Sequence, residues 1–548
     1  MEVLFFSHLL SKKLNYQMNI LYYIVLLFFI TLVYYIPNFF NNGVFLDGWY
    51  LELWIKKNKK NFIKKFYNDA GSPYLIQFHN IFSRSKFTNK SIVFLSLFLA
   101  SSFIFFITLK FHYTALHAFI ISALYLTYPG NQITIEKTVS QYYFFTAVFY
   151  LGWLIIFYNF PFIDIASMTF FLFGIILIFS SFLVNSLLVL YYPLLLILIF
   201  KSFKSFDLFV NTQNLIITIF LISLPFLFWV FKNRIFIQSD AYKEYYKFKL
   251  NYKKIFFQIL ESIYIGLIIQ ILNLFTTLLK NSKIGLVLFP CLLIFIFSPI
   301  IIVQNYNEQF LVNNIFIIIL LISSIFPYVF VGQRIGVHGW ATKNNILISF
   351  PYALIIFILT INYSIKIPLI IIFFSIIYLL FVNLCWISLW VKQLSLLINI
   401  SETVNKKKYS IIILDDLIIN SLTSVGKNEN WVISTTCMFQ FYFNMDDILV
   451  IPLNKLVNKF NINNPISEND FNDILNSTTL DFTLNKVKYS NMQLYIKVEN
   501  SYLNNSLLYD IFISLKFMLY KFNILKFKNN WIKSLTNVII VPIKNDEI

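Results

Sequence analysis

Residues 20–49 read ILYYIVLLFFITLVYYIPNFFNNGVFLDGW. The first two thirds form an unbroken apolar run, Ile20 to Phe40, of the roughly 20 residues a helix needs to cross a bilayer. The run ends in Val44-Phe45-Leu46-Asp47-Gly48-Trp49, which places a single carboxylate where the helix should surface. Interfacial Asp and Trp also occur simply because a helix has reached the headgroups, so the meaning of Asp47 depends on the rest of the chain.

The rest reads the same way. Of 548 residues, 58% are apolar and 12% charged, against about 25% charged in soluble domains. The chain is therefore a polytopic membrane protein. Its 65 Phe and 34 Tyr against 12 Gly suggest an AT-rich bacterial coding sequence. The net charge is +18, yet from Glu402 onward 15 lysines face 14 carboxylates, so the excess belongs to the membrane part. That pattern fits anionic headgroups or cytoplasmic loops and gives no soluble basic face for nucleic acid. Cys291, Cys385 and Cys437 are too far apart for a metal site or a disulfide framework. Lys12 and Lys13 precede the first span with no small-residue cleavage site after it, which predicts a retained helix and not a removed signal peptide.

Further spans are expected at about 92–111, 115–128, 139–158, 166–182, 183–200, 215–231, 255–279, 284–303, 315–331, 346–363 and 367–390, about twelve in all. An even number puts both termini on one side, and the lysines near 12, 201, 280 and 392 favour the cytoplasm for it; the first loop, which this puts outside, is itself lysine-rich, so the charge rule alone does not choose the orientation. The first loop, 41–90, carries Leu51, Trp54, Ile55, Phe62, Ile63 and Phe66 at helical spacing among lysines, the pattern of a helix lying in the interface. From about Ser401 a soluble α+β domain is expected (401–548, after a membrane domain 1–400). Its strands fall at 409–414, 431–443, 448–452, 480–488, 492–498 and 537–542. Helices start at Ser467, with Asp470 three residues on as a cap, and over 507–522.

Ionisable groups at the mouth of a bundle are costly and are functional candidates by default. Four places qualify: Asp47 with Trp49 and Glu52; Tyr128-Pro129-Gly130-Asn131-Gln132 followed by Glu136, Lys137, Gln141, Tyr142 and Tyr143; the glycine-dense Gly332 to Trp340 with Lys343; and His79 with Arg84. Each has a plainer reading. Glu136 and Lys137 form a surface ion pair, His79 and His112 are interfacial, the glycines make a tight connection, and Asp415-Asp416 are a solvated turn.

Taken together, an acid after the first span, an interfacial helix behind it, a Pro-Gly break between the third and fourth spans and a late Arg/His/Gly loop resemble the integral-membrane glycosyltransferases of the C fold class. The resemblance covers about residues 20–395 as architecture, and its nearest local match is Leu124-Tyr125-Leu126-Thr127-Tyr128-Pro129-Gly130-Asn131-Gln132. It implies that Asp47 acts as general base or orients the acceptor, and that Arg334, His338 and Lys343 hold the phosphate of a polyprenyl-phosphate-sugar donor. Trp49, Glu136, Lys137, Gln141 and Tyr142 would contact substrate, and a glycan, lipid or protein would accept the sugar at the extracytoplasmic face of a bacterial inner membrane. No nucleotide motif, cofactor or resident metal is implied. The chain departs from the class where Gly48 follows Asp47, since many members show two acids close together. A lipid-linked-sugar flippase or secondary transporter, and a non-catalytic subunit, are the other readings.

Overall fold

The computed structural model describes residues 2–45, 47–56, 64, 67–68, 72–83, 85–111, 113–160, 165–203, 212–235, 252–280, 314–333, 335–337, 339–361, 363–406, 409–418, 432–445, 448–453, 466–477, 493–500, 506–522, 524 and 529–543. Among these the membrane part contains α1 (Glu2–Phe40), α2 (Gly48–Lys56), α3 (Tyr74–Phe82), α4 (Lys86–Lys110), α5 (Ala115–Leu126), α6 (Ser140–Asn159), α7 (Ile165–Ser181), α8 (Leu187–Phe203) and α9 (Thr212–Ile235). It continues with α10 (Tyr252–Ile263), a π-helical turn (Tyr264–Ile269), α11 (Gln270–Lys280), α12 (Asn314–Phe330), a 3-10 stretch (Gly339–Ile348), α13 (Ser349–Ile361) and α14 (Lys366–Lys406). Seven helices are long and apolar enough to cross a membrane, and four apolar helices are shorter. The span expected at 284–303 lies outside the described residues, as do Cys291 and His112.

Side-chain contacts fix the sense of the helices. The middle of α1 meets the first turns of α5 through Tyr23 and Phe119, 5.0 Å apart, and its later Tyr34 Oη donates to Leu126 O at 3.4 Å. The start of α5 meets the end of α13 through His117 and Phe357, and α14 begins five residues after α13. At the other end Asn383 donates to Tyr34 O, and Trp386 packs on Phe45 at 4.7 Å. Hence α1 and α14 run in the same direction, from a lower face to the upper face that carries the first loop. Such an arrangement needs an odd number of crossings between the lower face at α1 and the upper face at the end of α14, so the even count and the placing of both termini on one side are corrected. Lys392 accordingly belongs with the upper face and gives no vote for the side of Lys12.

Close backbone approach holds α6 to α7. A Cβ at Gly152 would lie 2.9 Å from Gly174 O and 2.7 Å from Ile178 Cγ1, and one at Gly174 would lie 3.0 Å from Gly152 O. Small residues let membrane helices pack this tightly. Gly152→Val is expected to destabilise the protein by about 1–3 kcal/mol, read as an earlier thermal unfolding in detergent, whereas a Cβ at Gly43 would meet the side chains of Phe45 and Asn41 and no backbone atom among its nearest neighbours.

After α5 the chain leaves helical geometry for ten residues, 127–136, every one of them buried. Irregular backbone is tolerated at membrane depth only where protein surrounds it, and here its groups are satisfied from several helices. Tyr128 Oη donates to Gly266 O in the π turn, 2.8 Å, and Trp386 Nε1 donates to Gln132 O, 2.9 Å.

Beyond α14 come β1 (Ile411–Asp416), α15 (Val432–Phe443), β2 (Leu449–Pro452), α16 (Glu468–Ser477), β3 (Gln493–Asn500), α17 (Leu507–Lys521), α18 (Asn529–Lys533) and β4 (Thr536–Ile543). The sheet order is β2-β1-β3-β4, parallel except for β3 with β4. Ile411 and Ile413 face one apolar cluster with Phe471 of α16, while Ile412 and Leu414 join the core of the membrane bundle. That alternation is the period of a strand, and burial on both faces explains why β1 reads as one apolar run. Ser467 Oγ caps α16 by accepting from Asp470 N, as the spacing predicts.

Two expectations fail here. Residues 431–443, expected as a strand, form the helix α15; its residues 434–440 are all buried, and a stretch buried all round carries no period that separates helix from strand. The first-loop helix does not lie open in the interface either. In α2 every residue from Gly48 to Trp54 is buried, because α15 covers it: Lys56 Nζ donates to Phe441 O at 2.7 Å. The expected strand at 480–488 lies outside the described residues.

Candidate functional site

Two carboxylates meet where the first loop touches the end of the 127–136 segment. A Cβ on Gly48 would lie 3.1 Å from Glu136 Oε1, so the absence of a side chain at 48 lets the Glu136 carboxylate sit against the start of α2. Glu136 also accepts from Thr138 N (3.3 Å) and Thr138 Oγ1 (3.1 Å), and its Oε2 has no hydrogen-bond partner among the described residues. Burial pushes Glu136 up to about 8, helped by the negative charge of Asp47 and opposed by the hydrogen bonds from Thr138 and Gly48. Burial likewise pushes Asp47 up to about 6, and the Lys343 ammonium opposes this. The charge of Asp47 thus favours the protonated form of Glu136, as a nearby like charge does. Asp47 is therefore the first of the two to ionise as pH rises.

Lys343 reaches the pair from the 3-10 stretch that opens α13. Its loop is held by buried amides. Gln132 Nε2 donates to Val337 O at 3.0 Å and contacts Tyr378 Oη at 3.1 Å, Gln270 Nε2 donates to Gly336 O at 3.1 Å, and Asn345 Nδ2 donates to the same oxygen at 2.9 Å. The Pro-Gly break, the π turn and the glycine-dense loop therefore form one polar knot, and it fixes Lys343 relative to the two acids.

One turn further along α2, Glu52 pairs with Lys137 at 3.0 Å. Glu136 and Lys137 are not a surface ion pair: both are buried, and each engages a different residue of α2. Around Glu52 lies a shallow cleft, partly open to solvent, lined by Gly43, Phe45, Lys86, Asn89, Lys90 and Lys137 among others. Lys86 Nζ donates to Asn42 O at 2.9 Å and Lys90 Nζ to Asn41 O, so the first turn of α4 fastens the loop that carries Asp47.

The remaining sequence candidates separate. Tyr142, on α6, lies within the field of Asp47. Gln141 Oε1 contacts His79 Nε2 at 3.1 Å, while His79 Nδ1 contacts Ser83 Oγ at 2.7 Å. Burial drives His79 down to about 3, so it is a neutral bridge between α3 and α6. Trp49 is buried between Trp390 and Phe441 and packs the first loop to the C-terminal part. Arg334, His338 and Arg84 lie outside the described residues. Asp416 Oδ1 accepts from Ile418 N at 2.8 Å and Asp415 from Tyr495 Oη, a self-capped turn. No three His, Cys, Asp or Glu side chains come together to hold a metal among the described residues. Sequence reading missed Lys86, Asn89, Lys90 and Gln270. The signal for the lysines was present, since Lys86 and Lys90 stand four residues apart and share one helix face at the entry of an apolar span.

The chain matches no protein-family model, and comparison with curated proteins and with solved structures gives no match.

Proposed function

We propose that the protein is a membrane glycosyltransferase that moves a sugar from a polyprenyl-phosphate donor to a hydroxyl-bearing envelope acceptor. The observation that carries this reading is the meeting of Asp47 and Glu136 against Gly48 with Lys343 facing them. The resemblance to the C fold class lacked a second acid beside Asp47, and Glu136 stands in that place from another loop. Asp47 accepts the proton of the acceptor hydroxyl as its oxygen bonds to the anomeric carbon. The bond from that carbon to the phosphate oxygen breaks, and Lys343 stabilises the phosphate's developing charge. No nucleotide site is needed for such a donor.

The resemblance to the C fold class puts sugar transfer at the extracytoplasmic face of a bacterial inner membrane. The upper face, with the acids and the C-terminal part, is then extracytoplasmic.

The test is the purified protein in liposomes with a radiolabelled polyprenyl-phosphate sugar. Formation of a glycosidic product together with free polyprenyl phosphate supports transfer. Movement of the labelled lipid across the bilayer with no new glycosidic bond would establish a flippase instead.

A further inference from the structure

We propose that the lysine-lined cleft at the upper end of α4 is a binding site for the phosphate group of a membrane-borne lipid. It lies one turn of α2, about 6 Å, from the acid pair, and the inference does not depend on glycosyl transfer.

The charge balance points to an anion. Lys86, Lys90 and Lys137 line the cleft, and Glu52 is the one carboxylate among the described lining residues. Lys90, Lys137 and Glu52 are buried. Lys521, at the end of α17, approaches Lys86 and Lys90 closely enough to repel both. After the Glu52–Lys137 pair is formed, the amines of Lys86, Lys90 and Lys521 remain close together with no ion pair of their own among the described residues. Gathering like charges in a partly buried place is costly unless a counter-charge completes it. Each ammonium has three donors and spends one at most on a loop carbonyl, leaving several for the oxygens of a phosphate. Beside the cleft the buried Asn41 side chain accepts from Gly43 N through its Oδ1, while its Nδ2 has no hydrogen-bond partner among the described residues.

The rim points to a lipid as the source. Phe87 beside Lys86, and Phe522 and Ile524 beside Lys521, are exposed apolar side chains. Along α17 the exposed Leu508, Phe512, Leu515, Leu519 and Phe522 fall at helical spacing on one stripe, with Lys516 and Lys521 on the same helix. A stripe of this kind on a basic helix seats in the interface between headgroups and acyl chains. It is continuous with membrane surface. Helix α17 packs on α14 through Ser514 and Leu384 O, Phe522 stacks on Phe40 at 4.6 Å, and the neighbouring Val33 and Ile36 of α1 and Leu95 and Leu99 of α4 are exposed as well. The phosphate would sit among the lysines with its chains along this apolar surface.

The experiment measures binding to the full chain in detergent by native mass spectrometry and by thermal shift. The probes are inorganic phosphate, phosphatidylglycerol and polyprenyl phosphate, none of which requires turnover. One lipid bound per protein is expected, with affinity at least tenfold weaker in Lys86→Gln and in the surface variant Lys521→Gln, and retained in Lys86→Arg. The tighter of the two lipid probes names the source, a headgroup or a lipid-linked carrier. Should neither lipid bind, or should both variants bind as the parent does, the proposal is overturned. Inorganic phosphate binding as tightly as the lipids would overturn the lipid assignment.

Discussion

Asp47→Asn is expected to lower the rate of sugar transfer by about 10²–10⁴-fold, the usual contribution of a positioned general base, with thermal unfolding no earlier than in the parent. An amide at 47 is nearly the same size and removes a charge that burial disfavours, since the carboxyl is held up to about 6. Glu136→Gln separates the two acids by their pH dependence. Its carboxyl is held up to about 8 against an ordinary value of 4.5, so the folded protein binds more protons than the unfolded chain between these values. The stability this group contributes is complete below about 4.5 and is lost as pH rises through about 8. Near pH 8.5 the Gln variant should therefore be more stable than the parent by roughly 4–5 kcal/mol, and its stability should fall less steeply from pH 5 to 8.5. Both effects are read from unfolding curves at a series of pH values. In the parent, the rate should rise as Asp47 ionises near pH 6 and fall as Glu136 loses its proton near pH 8. A Glu136→Gln variant that keeps the alkaline limb would show that the limb belongs to another group.

Lys392→Met is expected to cost about 3–5 kcal/mol, as breaking a buried pair does. Lys392 Nζ and Asp510 Oδ1 lie 3.0 Å apart with both side chains nearly sealed from solvent, and Ser388 Oγ donates to the same carboxylate at 2.6 Å. Removing the ammonium takes the counter-charge from a carboxylate of α17 that is buried against α14. Asp510→Ala should cost a similar amount by stranding the lysine. Lys392→Met combined with Asp510→Leu should recover most of the loss, because an apolar pair of similar volume avoids the desolvation cost of both ions. Protease nicking between α17 and the bundle, followed with temperature, reads the same order. Equal stability of the single and double variants would mean that the pair does not hold α17 to α14.

The seven long apolar helices among the described residues were legible because nothing but burial in lipid or protein tolerates 20 apolar residues in a row. Strands β1, β2, β3 and β4 were legible from β-branched runs, and α16 from Ser467 and Asp470. Neither the sense of α14 nor the cover over α2 could be read, since both depend on contacts such as Lys56 with Phe441, 385 residues apart. The same distance hid the partner of Asp47. A search for a second acid beside it in sequence meets Gly48, whereas that glycine is what admits Glu136. Ranking Glu136 with Lys137 as neighbours was misleading for a related reason: adjacent residues on an irregular segment point to different partners, here Gly48 and Glu52.

The cover of α15 over α2 also has a consequence for timing. Asp47 and Glu136 leave the ribosome early, Lys343 emerges later, and α15, which closes the first loop from above, comes some 300 residues after Glu136. At synthesis rates of about 5–20 residues per second, the acid-bearing loop waits roughly 15–60 s for its lid. During that interval it lacks both the lid and, for most of the time, its cation. The acid-bearing loop is therefore covered only once α15 has been made, and a chain stalled before residue 432 holds that loop bare.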